Sequence, residues 1–171
     1  MARRSRARGD KGEADGGAAL AVAEPQPALA PRWDEVAVGT AIPELRRVVT
    51  TRTLVQFAGA VGDFFELHYD TAAAQRAGLP DVILQGYLKK AYLAEAVVRW
   101  AGSPQKLRRL SASYRGVDLP SRDSAPRSFT VRGTVARVWE EGGEKLVELS
   151  LEGVDESGAV TTPGRAVVAL G

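Results

Sequence analysis

From Gly86 to Trp100, in GYLKKAYLAEAVVRW, apolar residues cover most of the circumference of a helix, which predicts one long and largely buried helix. Past Gly102 the period changes to two. In SFTVRGTV, Phe129, Val131 and Val135 share one face, while Thr130, Arg132 and Thr134 share the other. In LVELSLEG, Val147, Leu149 and Leu151 oppose Glu148, Ser150 and Glu152. The intervening EEGGE and ESGA have hairpin-turn chemistry, and KLRRLSASYRG and GRAVVAL supply further strands. The second half reads as an antiparallel sheet. With the buried helix it predicts an α+β domain in which the sheet wraps the helix.

Upstream, ELRRVVT (Glu44–Thr50) has strand character, and Thr50 or Thr51 can cap a short helix through Leu54, Val55, Phe57 and Ala58 that ends by Gly62. A second short helix, Ala72–Ala77, is predicted with Thr71 as its cap and Gly78 as its stop. The stretch between the two helices is VGDFFELHYD. The first thirty residues are rich in Arg, Gly, Ala and Pro without a sustained period, so a solvated, disordered tail is expected over residues 1–31 and one domain over 32–171. Arg3 and Arg4 precede an apolar run, Ala18–Ala23, too short for an export signal, so a cytoplasmic protein is expected.

The chain has 171 residues and a net charge of +2. The excess of positive charge lies in the first dozen residues, which leaves the body close to neutral and makes nucleic acid an unnatural partner. No run approaches the ~20 apolar residues of a membrane helix. There is no cysteine and one histidine, which excludes disulfides, thiolate nucleophiles and a transition-metal cluster. Chemistry is left to carboxylates, His68, hydroxyls, lysines and backbone dipoles.

Asp63 stands five residues before His68. By itself this is either an acid/base pair or a structural hydrogen bond. Phe64, Phe65 and Tyr69 read as core or interface aromatics, or as the lining of an acyl tunnel. On the long helix Lys89 falls in one arc with Glu95 and Arg99, whereas Lys90 points away onto the apolar side. There it either snorkels to solvent or meets a phosphate or a partner subunit. Lys106, Arg108 and Arg109 form a basic run that is either a solvated face or a docking site for an anionic partner.

The order WDEVAVGTAIPELRRVVTTRTLVQFAGAVGDFFELHYD, AGLPDVILQGYL, LSASYRGVDLP and paired strands closing on AVVAL resembles the MaoC-like (R)-specific enoyl-thioester hydratases and dehydratases, which are hot-dog domains that work as dimers. Their motif, Gly-Asp-x-Asn-Pro-x-His followed by a helix-opening His-Gly, is represented by Gly62, Asp63, Phe65, Glu66, His68, Gln85 and Gly86. Phe65, Glu66 and Gln85 depart from it. The resemblance implies a dehydratase or hydratase interconverting 3-hydroxyacyl and 2-enoyl thioesters, with Asp63 and His68 as the acid/base couple and the Gly86 amide as oxyanion donor. Phe64, Phe65, Glu66, Tyr69 and Gln85 would shape the pocket. The substrate would ride on coenzyme A or an acyl carrier protein, with no separate cofactor or metal, and Lys90, Lys106, Arg108 and Arg109 are candidate carrier-docking residues. A homodimer or a heterodimer with a second hot-dog chain is expected. Phe65 and Glu66 keep open a repurposed isomerase, cyclase or thioesterase. A structural subunit of a heterodimeric dehydratase is the non-enzymatic alternative.

Overall fold

Five antiparallel strands form one sheet in the order β1-β3-β4-β5-β2, seen here in a computed structural model that describes residues 30–170. They are β1 (Ala41–Arg47), β2 (Leu107–Ala112), β3 (Phe129–Glu141), β4 (Glu144–Val154) and β5 (Val160–Ala169). The tail expected over residues 1–31 lies outside the described residues except for its last two positions. No helix among the described residues is long and apolar enough to cross a membrane.

β3, β4 and β5 are joined as consecutive hairpins because the alternating sequence buries one face of each. The first turn uses Gly142 and Gly143 at φ 59° and 81°, which a side chain would resist. β1 adds to the free edge of β3 and β2 to the free edge of β5. β1 starts and ends three residues before the expected Glu44–Thr50. Pro43 lies where its register shifts, between Ile42 and Leu45; a residue without an N–H is tolerated at an edge-strand irregularity. Thr50 is taken up as the helix cap instead.

The long helix, α3 (Gly86–Ala101), packs against all five strands. Its Leu93, Ala96, Val97 and Trp100 share one buried cluster with Phe129, Val131, Leu149 and Val168 of the sheet. Each large side chain buried in this way contributes about 1.5–3 kcal/mol. The helix comes close to the sheet at Gly164 of β5. A Cβ there would lie 2.9 Å from Leu93 Cδ1 and 2.8 Å from the Ser111 carbonyl oxygen.

Two shorter helices precede it. α1 (Thr51–Val61) begins where the Thr50 hydroxyl accepts from the Thr53 amide, and it ends at Gly62, which is left-handed at φ 75°. α2 (Thr71–Arg76) is capped by Asp70, not by Thr71 as expected. The Asp70 carboxylate accepts from the amides of Ala72 (2.8 Å) and Ala73 (3.0 Å), two of the donors that a helix start leaves unpaired.

Candidate active site

The segment between α1 and α2 is fixed at both ends by these caps and across its middle by its own side chains. Glu66–His68 form a single 3₁₀ turn, and the Tyr69 hydroxyl donates to the Phe64 carbonyl at 3.0 Å. The turn brings His68 inward, where it is buried. Its Nδ1 is 2.8 Å from the Ile83 carbonyl oxygen. A carbonyl can only accept, so Nδ1 carries a proton, and Nε2 is the ring nitrogen left to exchange one. Nε2 faces Asp63 Oδ2 at 4.0 Å, too far for a direct hydrogen bond.

Ile83 is itself held in place. Its amide donates to the Leu67 carbonyl at 3.0 Å, so Leu67-His68 and Ile83 are doubly tied. Two residues earlier, Asp81 accepts from Arg122 at 2.9 and 3.0 Å, from its neighbour Val82 and from Thr71. Partial burial of Asp81 works against ionisation, but the Val82 amide and the Arg122 guanidinium outweigh it and hold this carboxyl below its ordinary value.

The same segment leads into α3. Gln85 is the N-cap residue, yet its side chain makes no capping bond. It is fully buried and donates instead to the Leu54 carbonyl at 2.9 Å, while its Oε1 has no partner among the described residues. The first amides of α3, beginning at Gly86, are thus left without the side-chain cap that α1 and α2 possess. The Tyr114 ring lies so close over Gly86 that a Cβ would come within 3.1 Å of it. A cleft of about 390 Å³ is lined by His68, Ile83, Gly86, Lys89, Tyr114 and Val117.

The structure therefore brings Asp63 and His68 together and puts His68 and Gly86 on one cleft. Phe64, Phe65, Glu66 and Tyr69 are exposed, with the Phe65 ring edge-on to the imidazole at 5.9 Å between centroids. Gln85 points into the core and not into the cleft, because its amide satisfies the Leu54 carbonyl. Lys90 is half-buried, and the buried lysine is its neighbour Lys89, which the helical arc had placed with Glu95 and Arg99. The arc misleads because the segment 113–118, not solvent, covers the first turn of α3. Arg108 and Arg109 are exposed and Lys106 half-buried at the start of β2; Arg108 is paired with Glu144 at 3.0 Å. β2 runs from there toward Tyr114, so the basic run and the cleft are about 20 Å apart along an extended strand. Lys89, Tyr114 and Val117 were missed as cleft residues. For Tyr114 and Val117 the available signal was the change from strand pattern to SYRGVDLP.

The fold has counterparts among known proteins. Among solved structures, the chain is similar to an (R)-hydratase from A. caviae involved in PHA biosynthesis, with 20% identity, a TM-score of 0.69, and coverage of 80% of this chain and 98% of that one. It is similar to an R-hydratase from Pseudomonas aeruginosa with 19% identity, a TM-score of 0.68, and coverage of 81% and 84%. It also matches a chain of the ChsH1-ChsH2 complex from Mycobacterium tuberculosis, with 20% identity, a TM-score of 0.65, and coverage of 78% and 97%. At such identities these likenesses establish the hot-dog fold. No curated protein matches the sequence. The MaoC like domain model matches residues 36–122, a span holding the whole motif loop, the Gly86 helix and the cleft segment, and the chain belongs to the MaoC-like dehydratase family.

Proposed function

We propose that this protein is an acyl-thioester hydratase or dehydratase that interconverts 3-hydroxyacyl and 2-enoyl thioesters by means of Asp63 and His68. The observation that carries this reading is the 4.0 Å gap between His68 Nε2 and Asp63 Oδ2. Two acceptors at that separation suit one water that donates to both: an oxygen ~2.8 Å from each subtends an angle of roughly 90°. Nδ1, locked on Ile83, keeps Nε2 free to take a proton.

In the hydration direction the couple removes a proton from the water as its oxygen bonds to C3 of the enoyl group. The displaced electron pair moves through C2 onto the thioester oxygen, and a proton from the couple then forms the C2–H bond, so that the net change is addition of one water. The uncapped amide of Gly86 and the positive end of α3 stabilise that oxygen. Leu84 and Val117 also wall a second cavity of about 300 Å³, whose Val49, Leu119 and Phe129 offer apolar depth for an acyl chain. The carrier is coenzyme A or an acyl carrier protein, with the basic run of β2 as its docking surface. The working form is a dimer with a second hot-dog chain, which would cover exposed apolar side chains such as Phe64, Phe65 and Tyr87.

Purified protein mixed with crotonyl-coenzyme A tests the reading through loss of the enoyl-thioester absorbance. Steady loss that is abolished by His68→Ala is the expected result. An unchanged enoyl thioester, with saturated thioesters hydrolysed or isomerised instead, would put the repurposed hot-dog in its place.

A further inference from the structure

We infer that Lys89 is a further functional residue of the cleft: a buried, fixed positive charge beside the Gly86 amide that stabilises the thioester oxygen as it becomes negative. The inference rests on the thioester reading above. It starts from a side chain that the fold does not require. Lys89 is 2% exposed, in the first turn of α3, on a helix whose buried side is otherwise apolar. A lysine and a partner carboxylate buried together are no more stabilising than two apolar side chains of similar size. The pair is therefore not explained by packing.

Its surroundings point to the cleft. Lys89 Nζ donates to Asp118 Oδ2 at 2.7 Å and to the Gly116 carbonyl at 2.9 Å. Asp118 is buried and accepts in addition from the Thr161 hydroxyl at 3.0 Å, so the carboxylate is fixed from both sides. An ammonium has three N–H groups, and the third has no acceptor among the described residues. The Tyr114 ring, which lies against Gly86, also stands 5.8 Å from Nζ. Lys89 lies one helical turn from Gly86, and both line the cleft that contains His68. A charge held by two hydrogen bonds and screened from water need not reorganise when negative charge develops on a nearby oxygen, and such fixed donors produce the largest electrostatic effects on rate.

The test separates charge from mere support of the wall. In Lys89→Met combined with Asp118→Asn, no charge is left buried and Thr161 keeps its acceptor. Two ligands are compared: acetoacetyl-coenzyme A, whose enolate has a near-ultraviolet band, and butyryl-coenzyme A, which forms no enolate. The expected result is loss of the enolate band and a fall of about 10²-fold in kcat for hydration, with butyryl-coenzyme A binding within about threefold of wild type. If both ligands weaken together, or if kcat and the band survive, Lys89 only holds the wall and the inference fails. Should the double variant not fold, Lys89→Gln, whose amide can still donate to Asp118, is read in the same way. The enolate band does not depend on turnover. A wild type that shows the band without hydrating crotonyl-coenzyme A would overturn the hydratase reading and leave Lys89 in its role, whereas a wild type that binds neither thioester would overturn both.

Discussion

The imidazole of His68 and the carbonyl of Ile83 are joined by a 2.8 Å hydrogen bond, and through it the segment ahead of α3 determines which nitrogen of the ring faces Asp63. Removing either member of the couple should therefore be costly to rate and mild for the fold. Asp63→Asn and His68→Ala are each expected to lower turnover by roughly 10²–10⁴-fold. If the two act on one water, as proposed, the double variant should be little worse than the worse single one. Steady-state kinetics with matched melting curves check this, and near-normal turnover in either single variant would return His68 to a structural role.

The support for Ile83 makes a second expectation. Arg122→Ala removes the partner that fixes Asp81, two residues before Ile83, and a small misplacement of the imidazole can cost up to about 10²-fold in rate. The same pair sets a pH dependence. The Asp81 carboxyl titrates lower in the folded chain than its ordinary 3.8, so its contribution to stability is complete above that value and is lost as the pH falls through the folded one. The melting-temperature advantage of wild type over Asp81→Asn should be largest near neutral pH and vanish in acid. An advantage that does not shrink as the pH is lowered past 3.8 would contradict the linkage.

At the other wall of the cleft, Gly86→Ala places a methyl 3.1 Å from the Tyr114 ring. Tyr114 is about half exposed and free to swing outward, so stability should hardly change. Turnover should fall by roughly tenfold or more as the oxyanion site opens to water. Equal turnover in the variant would show that the α3 terminus is not where the thioester oxygen rests.

Gly164→Ala should do the reverse. Its methyl meets the Ser111 carbonyl, which is backbone held in the β2–β5 ladder, and the fully buried Leu93, and overpacking of this kind costs about 1–3 kcal/mol. Denaturant unfolding measures it, with little change expected in KM for the molecules that remain folded.

The basic run is tested by replacing Lys106, Arg108 and Arg109 together with Ser. Weaker coenzyme A binding at low salt, and convergence with wild type at high salt, is expected of a docking surface. An unchanged affinity at low salt would leave the three as a solvated face.

Much of this was readable from the chain alone. Phe129, Val131 and Val135, or Val147, Leu149 and Leu151, announce a half-buried strand because alternation is a local property. α3 shows itself because residues with so little polar circumference have to be enclosed. What could not be read depends on which distant segment covers a given surface. Lys89 reads as solvated until the segment 113–118 is seen over the first turn of α3. Gln85 reads as a pocket residue until Leu54 is found offering it a carbonyl. The protonated nitrogen of His68 was equally invisible, being chosen by a backbone oxygen fifteen residues away.

The bracketing of the motif loop between the Gly62 end of α1 and the Asp70 cap of α2 divides that loop into two edges with different tolerances. Along the inner edge, Asp63 and His68 hang from the ends of two separate helices, so their gap measures how those helices are placed, and an insertion between them would be converted directly into lost alignment. Along the outer edge, Phe64, Phe65 and Glu66 project away from the core, where an exchange of side chain leaves no cavity and breaks no internal bond. The spacing of Asp63 and His68 is thereby held by the scaffold, while the exposed outer edge is open to rewriting. Of that rim only the Phe65 ring touches the couple beneath it, edge-on to His68.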